Sequence, residues 1–323
     1  MWTEVAAALV LLVMGLRVWY RWQAGVCGSK ASLEGKTVVI TGASAGIGKE
    51  AAKDLVSRGA RVIMACRNVE KAERAAAEVR IHARGKGEAV VRQVDTSDLA
   101  SVRRFAARIL KEEERLHLLI NNAGIVGPPT REVTKDGLEL TMATNHYGHF
   151  LLTNLLLGLI KRSAPSRIVI LTSDSHDEVT KLNPDCLNFE HDHYSSFTAY
   201  GQSKLCNILF TLELTNKLQG TGVTANCVHP GGVTTEIFYK GDVTWKLWMW
   251  GKIIYLMGKD ATQGAQTILH AAVSEELEGV SGKYLVDCKE AQTTDLGRSQ
   301  KLAKQVWEAS EVDVKLQAGE KHY

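Results

Sequence analysis

Lys36 to Ile40 (KTVVI) is a short run rich in β-branched residues. It leads directly into Thr41-Gly42-Ala43-Ser44-Ala45-Gly46-Ile47-Gly48, and Lys49 to Ser57 (KEAAKDLVS) then has helical composition. Strand, glycine-rich turn and helix in that order constrain the fold more than any other feature of the chain. Glycines at 42, 46 and 48 let the backbone approach a pyrophosphate closely, and the free N–H groups at the helix start supply donors and positive dipole for it. Gly42, Ser44, Ala45, Gly46, Ile47 and Gly48 are therefore candidate cofactor contacts. The spacing is Gly-x-x-x-Gly-x-Gly rather than the more familiar Gly-x-Gly-x-x-Gly, and the glycines alone also suit an ordinary tight turn.

The pattern repeats downstream. Strand-like runs at Arg61 to Ala65 (RVIMA), Ala89 to Val94 (AVVRQV) and Leu116 to Ile120 (LHLLI) alternate with helical stretches such as Ser101 to Glu114. Such alternation predicts an α/β fold: one doubly wound Rossmann domain with a parallel sheet covered on both faces and ligand at the carboxyl ends of its strands. The second run ends at Cys66-Arg67-Asn68, about 20 residues past the glycines, where an NAD-selective site carries an acidic residue for the ribose hydroxyls. Arg67 stands there instead. A guanidinium at that place favours a 2′-phosphate, so the expected cofactor is NADP(H); a solvated surface arginine is the plainer alternative.

At this point the sequence resembles the short-chain dehydrogenase/reductase family over about residues 36 to 290. The resemblance rests on the Gly-rich turn Thr41 to Gly48, Asp95 as the adenine-contacting Asp, the Asn-Asn-Ala-Gly element Asn121 to Gly124, and Pro230-Gly231. It implies a tetrad of Asn145 in TNHYGHF, Ser173 in RIVILTSDS, and Tyr200 with Lys204 in AYGQSK. It also implies cofactor contacts from Asp95, Asn122, Ala123, Gly124, Tyr200, Lys204, Pro230, Gly231 and Thr234. Tyr194 and Tyr200 lie close together, but only Tyr200 has a lysine four residues later, on the same helical face.

In the chemistry that follows from this likeness, Tyr200 exchanges the proton that accompanies hydride transfer to or from a carbonyl. An unperturbed phenol titrates near pH 10, so an adjacent ammonium and the positive nicotinamide of the oxidised cofactor are needed to favour phenolate, and Lys204 is expected to supply the permanent charge. Ser173 is expected to hydrogen-bond the substrate oxygen, and Asn145 to hold a helix irregularity and a proton-relay water. The 26 residues between Ser173 and Tyr200 are longer than in many members and read as a solvated loop. Glu190, His191, Asp192 and His193 lack a fixed ligand scaffold, so no metal is expected.

Val5 to Leu16 (VAAALVLLVMGL) is uninterruptedly apolar and flanked by Trp2, Trp19, Tyr20 and Trp22. A helix from Trp2 to Trp22 would reach roughly 30 Å, just enough to cross a bilayer. A membrane anchor over residues 1–24 is expected, transmembrane, tilted or monotopic, and the competing signal peptide would want positive charge before the run, where only Glu4 stands. Arg17, Arg21 and Lys30 follow the run, which keeps the remaining chain on the cytosolic side. Six cysteines without a Cys-x-x-Cys pair read as reduced, mostly buried hydrophobes. A balance of 39 basic against 36 acidic residues, net +3, gives no ground for a nucleic-acid partner.

The expected organisation is residues 1–24 as anchor, 30–295 as the Rossmann domain and 296–323 as a helical tail, in which Leu302, Val306, Trp307 and Val314 could face the body. After Pro230-Gly231 comes a stretch with Phe238, Tyr239, Trp245, Trp248, Trp250 and Tyr255, a candidate substrate lid that also suits a lipid surface or an ordinary core helix. Together with TGASAGIGKE, MACRN, SKLCNILF, VHPGGV, GAQT and YLVDCK, these features resemble the membrane-associated retinol dehydrogenase branch. That likeness implies an apolar small-molecule substrate, all-trans-retinal interconverted with retinol, and membrane lipid as partner at the cytosolic face of the endoplasmic reticulum. A steroid, lipid-aldehyde or xenobiotic carbonyl reductase fits the same residues, because an apolar pocket discriminates weakly among apolar shapes. A non-catalytic anchored binding module is the rival from another class, and the intact tetrad argues against it. One chain does not reveal an oligomeric state.

Overall fold

The computed structural model describes residues 14, 15, 17, 18, 20–191, 193–234, 252 and 258–323. Eight strands form one sheet: β1 (Thr37–Thr41), β2 (Arg61–Cys66), β3 (Glu88–Gln93), β4 (Leu118–Asn121), β5 (Ser166–Leu171), β6 (Val223–His229), β7 (Tyr284–Val286) and β8 (Lys289–Glu290). Their order is β3-β2-β1-β4-β5-β6-β7-β8, parallel throughout except for the final β7–β8 pair. The expected Rossmann-type α/β architecture is therefore present. Strand order reverses between β1 and β4, so the loops after Thr41 and Asn121 diverge there and open a crevice at the strand ends.

The sheet is buried on both faces. In β1, Val39 joins one core while Val38 and Ile40 join the other, as the two-residue period of a strand requires. One core is covered by α1 (Gly46–Ser57), α2 (Val69–Ala83) and α6 (Ala261–Val273), which contribute Leu55, Val79 and Ile268. The other is covered by α3 (Leu99–Glu112), α4 (Gly148–Arg162), α5 (Ser196–Lys217) and α7 (Gln300–Asp313). Phe105, Phe150, Phe210 and Trp307 meet in that second core, and Trp307 packs edge-on against Phe150 at 4.8 Å between ring centroids. Leu302, Val306 and Val314 are buried with it.

One sequence expectation about the fold needs correction. The segment between Ser173 and Tyr200 is not simply solvated: it forms two short 3-10 turns, Asp174–Glu178 and Pro184–Cys186, and buries His176, Cys186, Leu187, Asn188 and Phe189. His176 is held by the Ser173 carbonyl at 2.6 Å and Thr293 Oγ1 at 2.9 Å, while Glu190, His191 and His193 stay exposed. Of the six free cysteines, Cys66, Cys186, Cys206 and Cys227 are buried, but Cys27 and Cys288 are only half-buried.

The apolar run Val5 to Leu16 lies outside the described residues except for Met14 and Gly15, and so do residues 235–251 and 253–257, where the aromatic lid was expected. Among the described residues, no helix is long and apolar enough to cross a membrane. From Tyr20 to Leu33 the chain runs back along the body and is fixed by hydrogen bonds such as Cys27 N–H to Gln266 Oε1 at 3.1 Å.

Candidate active site

A cleft of about 1830 Å³ lies at the carboxyl ends of the strands. One end is built by the glycine turn. Gly42 and Gly46 have φ of +70° and +54°, in the region that favours glycine. Gly48 touches the loop after β4 so closely that a Cβ there would sit 2.5 Å from Asn122 Nδ2 and 2.7 Å from the Gly42 carbonyl oxygen. Helix α1 starts at Ala45 with no side-chain cap and no acidic residue in its first turn, so its N–H donors face the cleft unneutralised. By contrast, side chains of Asn68, Asp98, Ser195 and Ser299 cap α2, α3, α5 and α7. A backbone cradle with an open helix end fits the pyrophosphate of a dinucleotide.

Gly42, Ser44, Ala45, Gly46, Ile47, Gly48, Arg67, Asp95, Asn122, Ala123, Gly124, Pro230 and Gly231 all line this cleft, together with Ser173, Tyr200 and Lys204. Asn145 is fully buried behind the wall, and Thr234 lies just past the lining, its N–H bonded to the Lys259 carbonyl at 2.9 Å. Asn122 acts as a brace: its Nδ2 donates to the Thr41 carbonyl at 2.7 Å. Asp95 accepts from Ser97 N and Oγ at 3.0 and 2.7 Å, with Arg67 Nη1 4.0 Å from its other oxygen.

On α5, Lys204 follows Tyr200 by one helical turn, and its Nζ stands 5.3 Å from the Tyr200 ring centroid. Lys204 is only 3% exposed, and its Nζ donates to the Leu171 carbonyl at 3.4 Å. Ser173 follows β5, where its Oγ donates to Asp174 Oδ1 at 2.9 Å and accepts from Ser175 N–H at 3.2 Å. Asn145 sits in a π-helical turn, Ala143–Tyr147, between the short helix Leu140–Met142 and α4. The helix irregularity expected around Asn145 is thus a physical feature of the chain, of the kind often found at functional sites. Its amide closes a two-way bond with the Ile125 backbone at 2.9 Å each way and donates to Ser203 Oγ at 3.0 Å. The competing Tyr194 is turned away, its hydroxyl donating to the Pro128 carbonyl at 2.9 Å.

Comparison with known proteins decides what this geometry belongs to. A family profile described as short chain dehydrogenase matches residues 36–184. Retinol dehydrogenase 12 of Mus musculus is 46% identical over 308 residues, covering 95% of each chain. Retinol dehydrogenase 12 and retinol dehydrogenase 14 of Homo sapiens are 47% and 44% identical, over 88% and 90% of this chain and 88% and 89% of their own. This chain belongs to the short-chain dehydrogenase/reductase family. Within the family it falls in the retinol dehydrogenase branch, and it is an oxidoreductase that works with a nicotinamide cofactor. An uncharacterized protein of Mycobacterium paratuberculosis, 32% identical, superposes with a TM-score of 0.70 over 90% of this chain and 98% of its own. Levodione reductase, 18% identical with a TM-score of 0.64 over 78% of this chain and 96% of its own, shares the fold.

In this short-chain dehydrogenase/reductase burial governs the electrostatics of Tyr200 and Lys204. Burial pushes the Tyr200 phenol up to about 12; the Ser173 hydrogen bond acts against that rise and the Asp174 carboxylate adds to it. Burial likewise draws Lys204 down to about 8.

Several supporting residues were not foreseen from the sequence. His149 is buried and held neutral, its pKa drawn down to about 4 by desolvation. Its Nδ1 faces the Asn145 carbonyl at 3.0 Å, so that nitrogen carries the hydrogen and Nε2 accepts from Thr41 Oγ1 at 2.9 Å. Thr41 Oγ1 in turn accepts the N–H groups of Asn122 and Ala123, both at 2.9 Å. One chain of bonds thus joins the glycine turn, the Asn-Asn-Ala-Gly loop and the π turn. Asn207 adds Nδ2 bonds to the carbonyls of Asn145 and Leu171, at 3.1 and 2.9 Å. The sequence signal for Asn207 is its place three residues after Lys204 on the same helical face.

Proposed function

We propose that this chain reduces an apolar aldehyde, all-trans-retinal first among them, with NADPH, at the cytosolic face of the endoplasmic reticulum membrane. The observation that carries the reading is the Tyr200 hydroxyl in the cleft, one helical turn from Lys204, in a chain 46% identical to Retinol dehydrogenase 12 over 95% of both. A phenol near 12 is protonated at neutral pH, the state needed to give a proton to a carbonyl oxygen. Ile125, Val126, Pro128, Leu140, Val179 and Phe197 also line the cleft and suit an apolar substrate.

When bound, the nicotinamide supplies the hydride that goes to the carbonyl carbon. Tyr200 delivers its hydroxyl proton to the oxygen, and Ser173 donates a hydrogen bond to the same oxygen as negative charge builds there. The Lys204 ammonium stabilises the phenolate that remains. Asn145 and His149 keep the π turn and the loop after β4 in register around Lys204. The glycine turn and the start of α1 hold the pyrophosphate, and Arg67, whose side chain is 74% exposed at the cleft's far end, takes the 2′-phosphate. Lys71 also lines the cleft, whereas Lys49 does not, so Lys71 is the second cation of choice. Residues 1–24 serve as the membrane anchor, ahead of a Rossmann domain over 30–295 and a tail over 296–323, so that a substrate dissolved in lipid has a short path to the site.

The test is product analysis of the membrane-bound, full-length protein given all-trans-retinal with NADPH or NADH, with Tyr200→Phe as the blank. The reading predicts retinol with NADPH, several-fold less with NADH and none in the blank. Cofactor binding without retinol would move the substrate to sterols or lipid aldehydes, and equal use of NADH would remove Arg67's role.

A further inference from the structure

The segment that follows the expected anchor enters the active site. Tyr20 lines the same cleft as the glycine turn and Tyr200, and its hydroxyl accepts the N–H of Gly232 at 3.3 Å. Arg21 pairs with the Asp260 carboxylate, its Nε donates to Gln263 Oε1 at 2.9 Å, and its carbonyl accepts from Gln263 Nε2 at 3.2 Å. Asp260 and Gln263 form the capping box that starts α6. Gly25 N–H donates to Asp287 Oδ1 at 3.2 Å.

These three attachments converge on one piece of backbone. Val233 and Lys259 pair as a parallel bridge, with Lys259 N–H bonded to the Gly232 carbonyl and Thr234 N–H to the Lys259 carbonyl, both at 2.9 Å. The Lys259 side chain is buried, pairs with Asp287, and reaches back to the Pro230 carbonyl at 3.5 Å. It passes so close to Gly231, whose φ is +86°, that a Cβ there would lie 2.6 Å from Nζ. The Lys259 Nζ is also 5.9 Å from the Tyr20 ring centroid, within reach of a cation–π attraction. The Pro230–Thr234 loop, which walls the cleft beside Tyr200, is therefore held from behind by Lys259 and from outside by residues 20–25.

We propose that Tyr20 and Arg21 are positioning residues of the active site. They fix the Pro230–Thr234 loop through Gly232 and the Asp260–Gln263 cap, so the N-terminal segment contributes to cofactor and substrate binding as well as to membrane attachment. The proposal rests on the nicotinamide site described above and does not depend on which aldehyde is reduced.

Tyr20→Phe removes only the acceptor at Gly232, and Arg21→Gln removes the charge at Asp260. Val26→Ala, at a residue 74% exposed in the same segment, is the control. Each full-length protein is titrated with NADPH by fluorescence, assayed for KM and kcat with all-trans-retinal in detergent, and floated with phosphatidylcholine vesicles. Loss of one neutral hydrogen bond corresponds to about a three- to tenfold change in an equilibrium constant. The NADPH Kd and the retinal KM should rise by about that factor in both variants, with kcat within about twofold, unchanged flotation and an unaffected control. A Kd and KM equal to wild type in Tyr20→Phe and Arg21→Gln would overturn the proposal, and so would equal constants with flotation lost. If the wild type binds NADPH but leaves retinal untouched, the substrate reading fails while the NADPH titration still decides this one.

Discussion

Gly48→Ala is the sharpest test of the cradle. The added Cβ would stand 2.5 Å from Asn122 Nδ2 and 2.7 Å from the Gly42 carbonyl, each about 1 Å inside ordinary contact. Neither neighbour can yield cheaply. Gly42 is backbone at φ +70°, and Asn122 Nδ2 is committed to the Thr41 carbonyl at 2.7 Å. Overpacking of this kind costs about 1–3 kcal/mol, and breaking the Asn122 bond adds about 1 kcal/mol. Relief requires the glycine turn and the loop after β4 to separate, which moves the N–H donors that hold the cofactor. The melting temperature should fall by about 3–6 °C, and the NADPH Kd measured by fluorescence titration should rise at least about tenfold. Gly28→Ala, where a Cβ meets nothing within 4 Å, should change neither. Wild-type melting and a Kd within twofold for Gly48→Ala would refute the claim that this contact shapes the site.

Tyr200→Phe should abolish turnover while NADPH binding stays within a few-fold, because the hydroxyl acts mainly in the transition state; single-turnover and binding assays separate the two. Arg67→Asp should shift the kcat/KM ratio from NADPH toward NADH by about tenfold or more, and an unchanged preference would transfer the 2′-phosphate to Lys71. Lys204 is charged below its pKa of about 8, so the rate of carbonyl reduction should decline as pH rises through that value. Lys204→Arg should remove that decline from the pH–rate profile, since guanidinium stays protonated there.

The parts of the site that were legible in the sequence are those written in short-range spacing. The strand, glycine turn and helix of residues 37–57, and the pair Tyr200 and Lys204 one turn apart, need only local periodicity to be read. What escaped depends on contacts between distant segments. His149 looks like an ordinary helical histidine until Thr41, 108 residues away, is found at its Nε2. Tyr20 read as an interfacial aromatic because nothing local points to Gly232, 212 residues on. The segment after Ser173 looked solvated because its polar composition conceals Leu187 and Phe189, which face the core only once α5 and α7 are in place. Spacing likewise discloses Lys204 beside Tyr200 but not the burial that draws the lysine's pKa down.

Hydride delivery with a proton from Tyr200 is the centre of the account, and isotope transfer measures it directly. Full-length protein in membranes would be given all-trans-retinal and NADPH dideuterated at C4 of the nicotinamide, and the product weighed by mass spectrometry. The account predicts retinol carrying one deuterium from the wild type and none formed by Tyr200→Phe. Unlabelled retinol, or labelled retinol at an undiminished rate from Tyr200→Phe, would contradict it.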